Sequence, residues 1–389
     1  MKAVQVREGI YWVGAIDWNI RNFHGYETPN GTTYNAYLIL DEKVTLIDTV
    51  KAPFTEEMIE RIESVISLDK IDVIISNHVE MDHSGGLPVM MEKCPKAEII
   101  TSMPSGIKGL TAHYGHEERY TAVKTGDSIS LGKRSLVFTG TPMLHWPDNM
   151  VTYCPEEKIL FSNDAFGQHV ATSERFVSQV DLQYVIENAK SYYANIIMCY
   201  GKQANGAEKI VETLDLEMIA PSHGLIWTKE YQEILKAYAK WSGEVPTSGA
   251  VVVYDSMWHS TEKMAMAVAD GFKQADVEVH VFDLKAEHYS KIMPYVLDSK
   301  YVAVGSPTLN NNMLPNVAAF LCYLKGLSPK ERSYVAFGSY GWGGQSIGRV
   351  AAELDACGFT KAIEDVKIQY IPSKEQLEKL EADIAAMAK

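Results

Sequence analysis

The sequence predicts an α/β protein of two domains, the second built on a doubly wound parallel sheet. Three observations carry this. A chain of 389 residues is too long for one ordinary hydrophobic core. The segment 241–249 is small, polar and interrupted by Gly243, Pro246 and Gly249, with patterned sequence on both sides, and reads as a linker. Beyond it, strand-like apolar runs alternate with helical spacing to the end of the chain, the rhythm of βαβ units. The expected domains are 1–245 and 250–389.

In chain order, the first domain mixes short β-like runs with helices. The runs are 10–14, Tyr37–Ile39, 45–48, 73–76, 98–101, 136–139 and 159–161. Helical spacing covers 55–67, opened by the acidic turn Thr55-Glu56-Glu57, and returns over 207–214. In the second domain Ala250–Tyr254 is a continuous apolar strand, followed by a helix over 261–270. Strands then fall at 277–283, Tyr301–Gly305 and 333–338, and a helix over 374–387 closes the chain. Sheets of this kind bind ligands at the carboxyl ends of their strands, near the point where strand order reverses.

Composition narrows the function. Hydrophobic content of 46% and charged content of 22% describe a soluble globular protein. The chain has no apolar run long enough to span a bilayer, and its start, Met1-Lys2-Ala3-Val4, lacks a signal-peptide core. No membrane association and a cytoplasmic location are expected. A net charge of −14 argues against nucleic acid and fits a soluble partner that presents positive charge. The cysteines, Cys94, Cys154, Cys199, Cys322 and Cys357, are scattered without a Cys-x-x-Cys pair. That excludes an internal iron–sulfur site of the usual spacing and a disulfide framework. Each reads as a small buried hydrophobe in a reduced compartment.

Chemistry concentrates in Asn77-His78-Val79-Glu80-Met81-Asp82-His83, directly after an apolar run. A tight strand-to-helix loop can turn His78, Glu80, Asp82 and His83 toward one point. A mixed His/Glu/Asp set without cysteine is a poor structural zinc site and suits redox iron or a catalytic metal. Three further candidates each follow a β-like run: His145 in Thr141-Pro-Met-Leu-His145-Trp-Pro-Asp148, Asp164 in Ser162-Asn-Asp164, and His223 in Ser222-His223-Gly224. Taken singly, the histidines read as core or loop residues, Asp164 as a turn former and Asp82 as the N-cap of a helix over 86–91. The ordered set carries the assignment.

Ligands in the order HxExDH, H, D, H resemble the metallo-β-lactamase superfamily over residues 1–240. That resemblance implies an αββα sandwich holding two metals bridged by one Asp. Hydrolases of the superfamily generally carry His where this chain has Glu80, and a carboxylate there favours iron over zinc. With Glu80 the pattern resembles the flavodiiron proteins. The resemblance implies one iron on His78, Glu80 and His145, a second on Asp82, His83 and His223, and Asp164 as the bridge. Family members differ in whether the imidazole at His83 binds metal. It further implies that His24 and Tyr192, with Tyr193 as the alternative, hydrogen-bond a bound diatomic. Trp18 and Trp146 lie in similar segments, and His169 would support the ligands from behind. His113, His116, His259, His280 and His288 fit no ligand spacing.

Three loops of the second domain each follow a predicted strand. The first contains Ser256, Met257, Trp258, His259, Ser260 and Thr261, where hydroxyls and backbone amides precede a helix and can cradle a phosphate. Without a Walker Gly-Lys-Ser/Thr or a Gly-x-Gly-x-x-Gly, a monophosphate fits better than a triphosphate or a dinucleotide. The second loop contains Ser306, Pro307, Thr308, Leu309 and Asn310; the third, Ser339, Tyr340, Gly341, Trp342, Gly343 and Gly344. Their glycines allow close backbone approach, and Trp258, Tyr340 and Trp342 can lie against a flat ring. Any one loop reads equally as an N-cap or a turn. The three in order resemble the flavodoxin fold with FMN, its phosphate in the first loop and its ring between the other two.

The expected architecture is therefore a metallo-β-lactamase-like αββα sandwich followed by a flavodoxin-like sheet. The resemblance implies an oxidoreductase that reduces NO to N2O, O2 to water, or both, at a diiron centre fed through FMN. It also implies a head-to-tail homodimer, or a dimer of such dimers, and a separate rubredoxin or rubredoxin-like reductase as electron donor. Two rival expectations stand beside it. One is a zinc hydrolase of metallo-β-lactamase fold with the flavodoxin domain as a docking module; the other is an electron carrier with an inactive first site.

Overall fold

The computed structural model describes residues 1–243 and 245–389 and divides into two compact units. The first comprises Met1–His24, Thr28–Tyr192 and Tyr200–Gly243. The second holds 245–389 together with Gly25–Glu27 and Tyr193–Cys199, two short segments that lie within the expected first domain. The expected linker begins inside the helix Tyr231–Gly243. Its residue Glu244 lies outside the described residues.

Two sheets form the first unit. One has seven strands in the order Val4–Arg7, Ile10–Trp12, Tyr37–Ile39, Val44–Ile47, Ile71–Ser76, Glu98–Ser102, Tyr120–Val123. The other has five: Ser128–Ser130, Ser135–Gly140, Met150–Cys154, Ile159–Asn163, Met218–Pro221. Period-two alternation assigns the faces. Val73 and Ile75 join a core with Phe138, Met150, Ile159 and Phe161 of the second sheet, so the sheets pack face to face. Ile74, between them, joins the other core with Met58, Ile62, Leu87, Met90 and Leu110, which belong to helices covering the outer face. On the far side, Tyr238 of Tyr231–Gly243 is fully buried and its hydroxyl accepts from the Phe166 amide at 2.8 Å.

Several boundaries differ from expectation. The helix expected over 55–67 is Thr55–Glu63, because Ser64 caps it and a separate short turn, Leu68–Lys70, leads into the next strand. The helix expected over 207–214 is Gly201–Val211, its start masked by a polar, glycine-bearing first turn. Asp82 is not an N-cap; it lies inside the short helix Met81–Ser84. Among the cysteines, Cys94, Cys154 and Cys357 are buried as expected, whereas Cys199 is half-buried and Cys322 exposed.

The second unit is a parallel sheet in the order Val279–Asp283, Ala250–Tyr254, Tyr301–Gly305, Ser333–Tyr340, Thr360–Lys361, with Val366–Gln369 also pairing Ser333–Tyr340. Sequence order reverses beside Ala250–Tyr254, which places the loops after it and after Tyr301–Gly305 at the switch point. The helices Ser260–Gln274 and Lys374–Ala388 pack on one face through Val268, Phe272, Leu380 and Ile384. Among the described residues, no helix is long and apolar enough to cross a membrane.

Candidate metal centre and flavin loops

The strand Ile71–Ser76 delivers the chain to a loop whose geometry is fixed from behind. Buried Asp48 accepts hydrogen bonds from the Asn77 backbone amide at 2.7 Å and its side-chain amide at 3.0 Å. The Asn77 side-chain oxygen in turn accepts from Thr152 Oγ1 at 2.7 Å. From this clamp His78, Glu80, Asp82 and His83 turn inward. They meet His145 after Ser135–Gly140, Asp164 after Ile159–Asn163 and His223 after Met218–Pro221.

The seven side chains form two groups with ligand atoms within 4.8 Å of one another: His78, Glu80, His145 and Asp164, and Asp82, His83 and His223. Asp164 faces both. Its Oδ2 lies 3.3 Å from His145 Nε2 and 3.6 Å from His78 Nε2. Its Oδ1 lies 3.0 Å from His83 Nε2 and 3.4 Å from His223 Nε2. Glu80 Oε2 faces His78 and His145 at 3.3 and 3.4 Å, and Asp82 faces His83 and His223, each at 3.3 Å.

The residues fit metal. Both carboxylate oxygens of Asp82 and Asp164 and both ring nitrogens of His83 are buried with no hydrogen-bond partner among the described residues. Leaving that many polar atoms unsatisfied costs several kcal/mol unless an ion claims them. Charge agrees. Burial opposes protonation of His78, yet Asp148 and Glu80 push it up to about 10. Burial likewise opposes protonation of His83, which Asp82 and Asp164 push up to about 9. Burial alone would raise the Asp164 carboxyl, but His83 and His145 hold it well below the carboxylate range. Clustered carboxylates are drawing positive charge from imidazoles, a role a cation takes more fully.

Outer contacts set the imidazole orientations. His78 Nδ1 donates to Asp148 Oδ2 at 2.8 Å, and His223 Nδ1 to the Thr33 carbonyl at 2.7 Å. Gly224, directly after His223, is held at φ +78°; a Cβ there would lie 2.4 Å from the Gln168 carbonyl oxygen, so only glycine fits. His169, not a ligand by geometry, bonds Thr32 Oγ1 at 2.7 Å and packs 4.8 Å from the His223 ring. His24 is largely exposed, with Nε2 3.0 Å from Glu80 Oε1. Tyr192 is buried with its ring 6.0 Å from His223, whereas Tyr193 belongs to the second unit. Trp146 packs 5.2 Å from His78. Trp18 is exposed. Sequence reasoning assigned no role to Asp48, Asp148 or Phe23, whose ring lies 5.3 Å from His169 and 6.3 Å from His223. Only Asp148 carried a signal, its place three residues after His145.

In the second unit the three loops converge. Thr261 Oγ1 meets Ser339 Oγ at 2.9 Å, Thr308 N donates to the Ser339 carbonyl at 3.1 Å, and Thr308 Oγ1 meets Ser346 Oγ at 2.9 Å. Thr261 is thus turned into the protein, tying loops together. Ser256 Oγ is buried without a hydrogen-bond partner among the described residues, one position after Asp255 and four before the helix Ser260–Gln274. A phosphate at that helix start would supply the missing partner. Lys285 Nζ donates to the Ser256 carbonyl at 2.9 Å and adds positive charge. The rings of Trp258 and Trp342 are 87% and 92% exposed, bare apolar faces beside the cradle. His259, also exposed, bonds Glu262 instead. Asn310 takes a left-handed conformation, as does Gly344, which packs on Tyr340.

Comparison with known proteins follows the same division. The model of the ODP family beta lactamase matches residues 32–224, and that of flavodoxin matches 252–382. The chain is 46% identical to the nitric oxide reductase of Moorella thermoacetica, over 97% of this chain and 96% of that protein. It is 43% identical to the rubredoxin-oxygen oxidoreductase of Megalodesulfovibrio gigas, over 100% of this chain and 98% of that protein. The crystal structure of the flavodiiron protein from Giardia intestinalis superposes with a TM-score of 0.96 at 36% identity, covering 100% of this chain and 96% of that one. With two clusters of side chains that could hold metal beside a flavodoxin domain, these relatives lead to one conclusion: the chain belongs to the flavodiiron protein family.

Proposed function

We propose that this protein reduces NO, O2 or both, taking electrons from a rubredoxin-type donor. The observation that carries the reading is Asp164, one carboxylate divided between two buried ligand sets. His78, Glu80 and His145 would hold one iron and Asp82, His83 and His223 the other, with Asp164 facing both sets. When bound, the diiron pair supplies electrons to a diatomic and FMN replenishes them. The loops carrying Ser256 to Thr261, Ser306 to Asn310 and Ser339 to Gly344 would hold FMN.

The chain's own residues do the rest. Burial of the ligand sets excludes water, which strengthens the charge interactions on a bound anion. His24, largely exposed and with Nε2 3.0 Å from Glu80 Oε1, would hydrogen-bond a bound diatomic. Burial keeps the Tyr192 hydroxyl protonated and thus a donor toward a bound diatomic. Tyr192→Phe is expected to slow turnover about tenfold, the worth of one hydrogen bond, with iron and FMN content unchanged. Metal analysis and steady-state rates check this.

The domains are 1–245 and 250–389, and the working form is a head-to-tail homodimer in the cytoplasm. Large apolar side chains left bare beside the two sites support the dimer: Met81 next to Asp82, and Trp258, Trp342 and Tyr370 on the second unit. Sedimentation of the holoprotein tests it, and a monomer would end that part of the reading.

The deciding experiment is an anaerobic assay with reduced rubredoxin, following NO and O2 consumption in parallel with metal analysis. Two irons, one FMN and consumption of either gas are expected. Two zincs with hydrolytic activity would replace the reading by the hydrolase, and reduction without consumption by the carrier. Glu80→His is expected to lower the iron-to-zinc ratio about tenfold or more, since an imidazole there softens the site.

A further inference from the structure

The two ligand sets differ in what stands behind them. His78 donates through Nδ1 to a carboxylate, Asp148 Oδ2, at 2.8 Å. His223 donates to a neutral carbonyl, that of Thr33, at 2.7 Å. His83 Nδ1 has no hydrogen-bond partner among the described residues. A carboxylate behind an imidazole fixes its tautomer, stops the ring from turning and makes the other nitrogen a stronger donor; a carbonyl does this less, and no partner not at all.

Asp148 is built for the task. It is 3% exposed, and the same Oδ2 also accepts the Val79 amide at 2.8 Å. Its own carbonyl accepts from Ser102 Oγ at 2.5 Å. It lies in the loop that carries His145 yet grips the loop that carries His78, and the Met150 amide donates to the Asn77 carbonyl at 3.1 Å just beyond. One carboxylate therefore braces two ligands of the same set against each other. Among the described residues, no carboxylate stands behind Nδ1 of His83 or of His223 in the same way.

We propose that Asp148 is a positioning residue that makes the iron position of His78, Glu80 and His145 the tighter of the two, so that iron leaves the Asp82, His83 and His223 position first. This rests on the ligand assignment of the preceding section. The test is anaerobic release of iron from reduced holoprotein to excess bipyridine, followed by colour. The wild type is expected to lose iron in two phases of equal size. In Asp148→Ala the slow phase quickens about 10- to 100-fold while the fast phase and FMN content stay as they were. Asp148→Asn keeps an oxygen that can accept from both His78 and Val79 but loses the charge, so its slow phase quickens by less. If the alanine variant does not fold, the asparagine variant alone must still show the quickened slow phase. A slow phase unchanged in both variants, or both phases quickened together as general loosening would produce, overturns the proposal. Two irons that leave the wild type in a single phase also overturn it, with the ligand assignment intact. A wild type that binds no iron removes the assignment and this proposal with it.

Discussion

Replacing Asp164 by asparagine is expected to reduce iron from two per chain to one or fewer and to lower NO and O2 consumption at least about 100-fold, with FMN content unchanged. The aspartate faces His145 and His78 through one oxygen and His83 and His223 through the other. An amide offers one acceptor oxygen and turns an NH2 toward whichever set faces the other atom. A cation there meets a donor instead of a lone pair, and one negative charge is gone from a buried site. Iron and flavin analysis on the same sample is the measurement. Two irons with normal turnover would end the bridging role, and loss of flavin together with iron would show that the two units do not hold their cofactors independently.

The converse is expected from Gly338→Ala: FMN binding weakened, iron retained. A Cβ at Gly338 would lie 2.0 Å from the Ser306 carbonyl oxygen, a backbone atom at the start of the second flavin loop, and 3.0 Å from Ile347 Cγ1. The strand cannot slide away, since Ser333–Tyr340 is held in parallel register by Tyr301–Gly305. The second and third loops must separate, breaking the Thr308 to Ser339 contact between them. Overpacking of this kind costs about 1–3 kcal/mol, which predicts FMN binding weaker by up to about 100-fold. Flavin titration of apoprotein measures it. Wild-type FMN affinity would show that the loops have slack the structure does not suggest.

Much of this was legible from the chain, for reasons that differ by element. Ala250–Tyr254 and Tyr301–Gly305 match their expected bounds because strands buried on both faces are uninterrupted apolar runs. Strands such as Ser128–Ser130 were missed, being short, and the helix Ser105–Tyr114 was hidden by Gly106 and Gly109. That the seven candidate side chains come together was legible because metal chemistry restricts residue type and each loop that carries them follows a strand. The brace from Asp148 was legible only in its nearness to His145, because an aspartate in a loop looks the same whether it ends a turn or braces an imidazole seventy residues away. The sorting of Tyr192 from Tyr193 was equally invisible, since it depends on the chain passing from one unit to the other between them.

The divided grip of Asp164 has a consequence for dimension. Side-chain packing sets most distances in a protein and drifts as packing loosens with heat or mutation. The span between the two oxygens of a carboxylate is set by covalent bond angles, which deform only at steep cost. The interval between the two ligand sets is therefore measured off by a rigid gauge. It should drift less with temperature than distances set by side-chain packing alone, even as the sandwich around it expands.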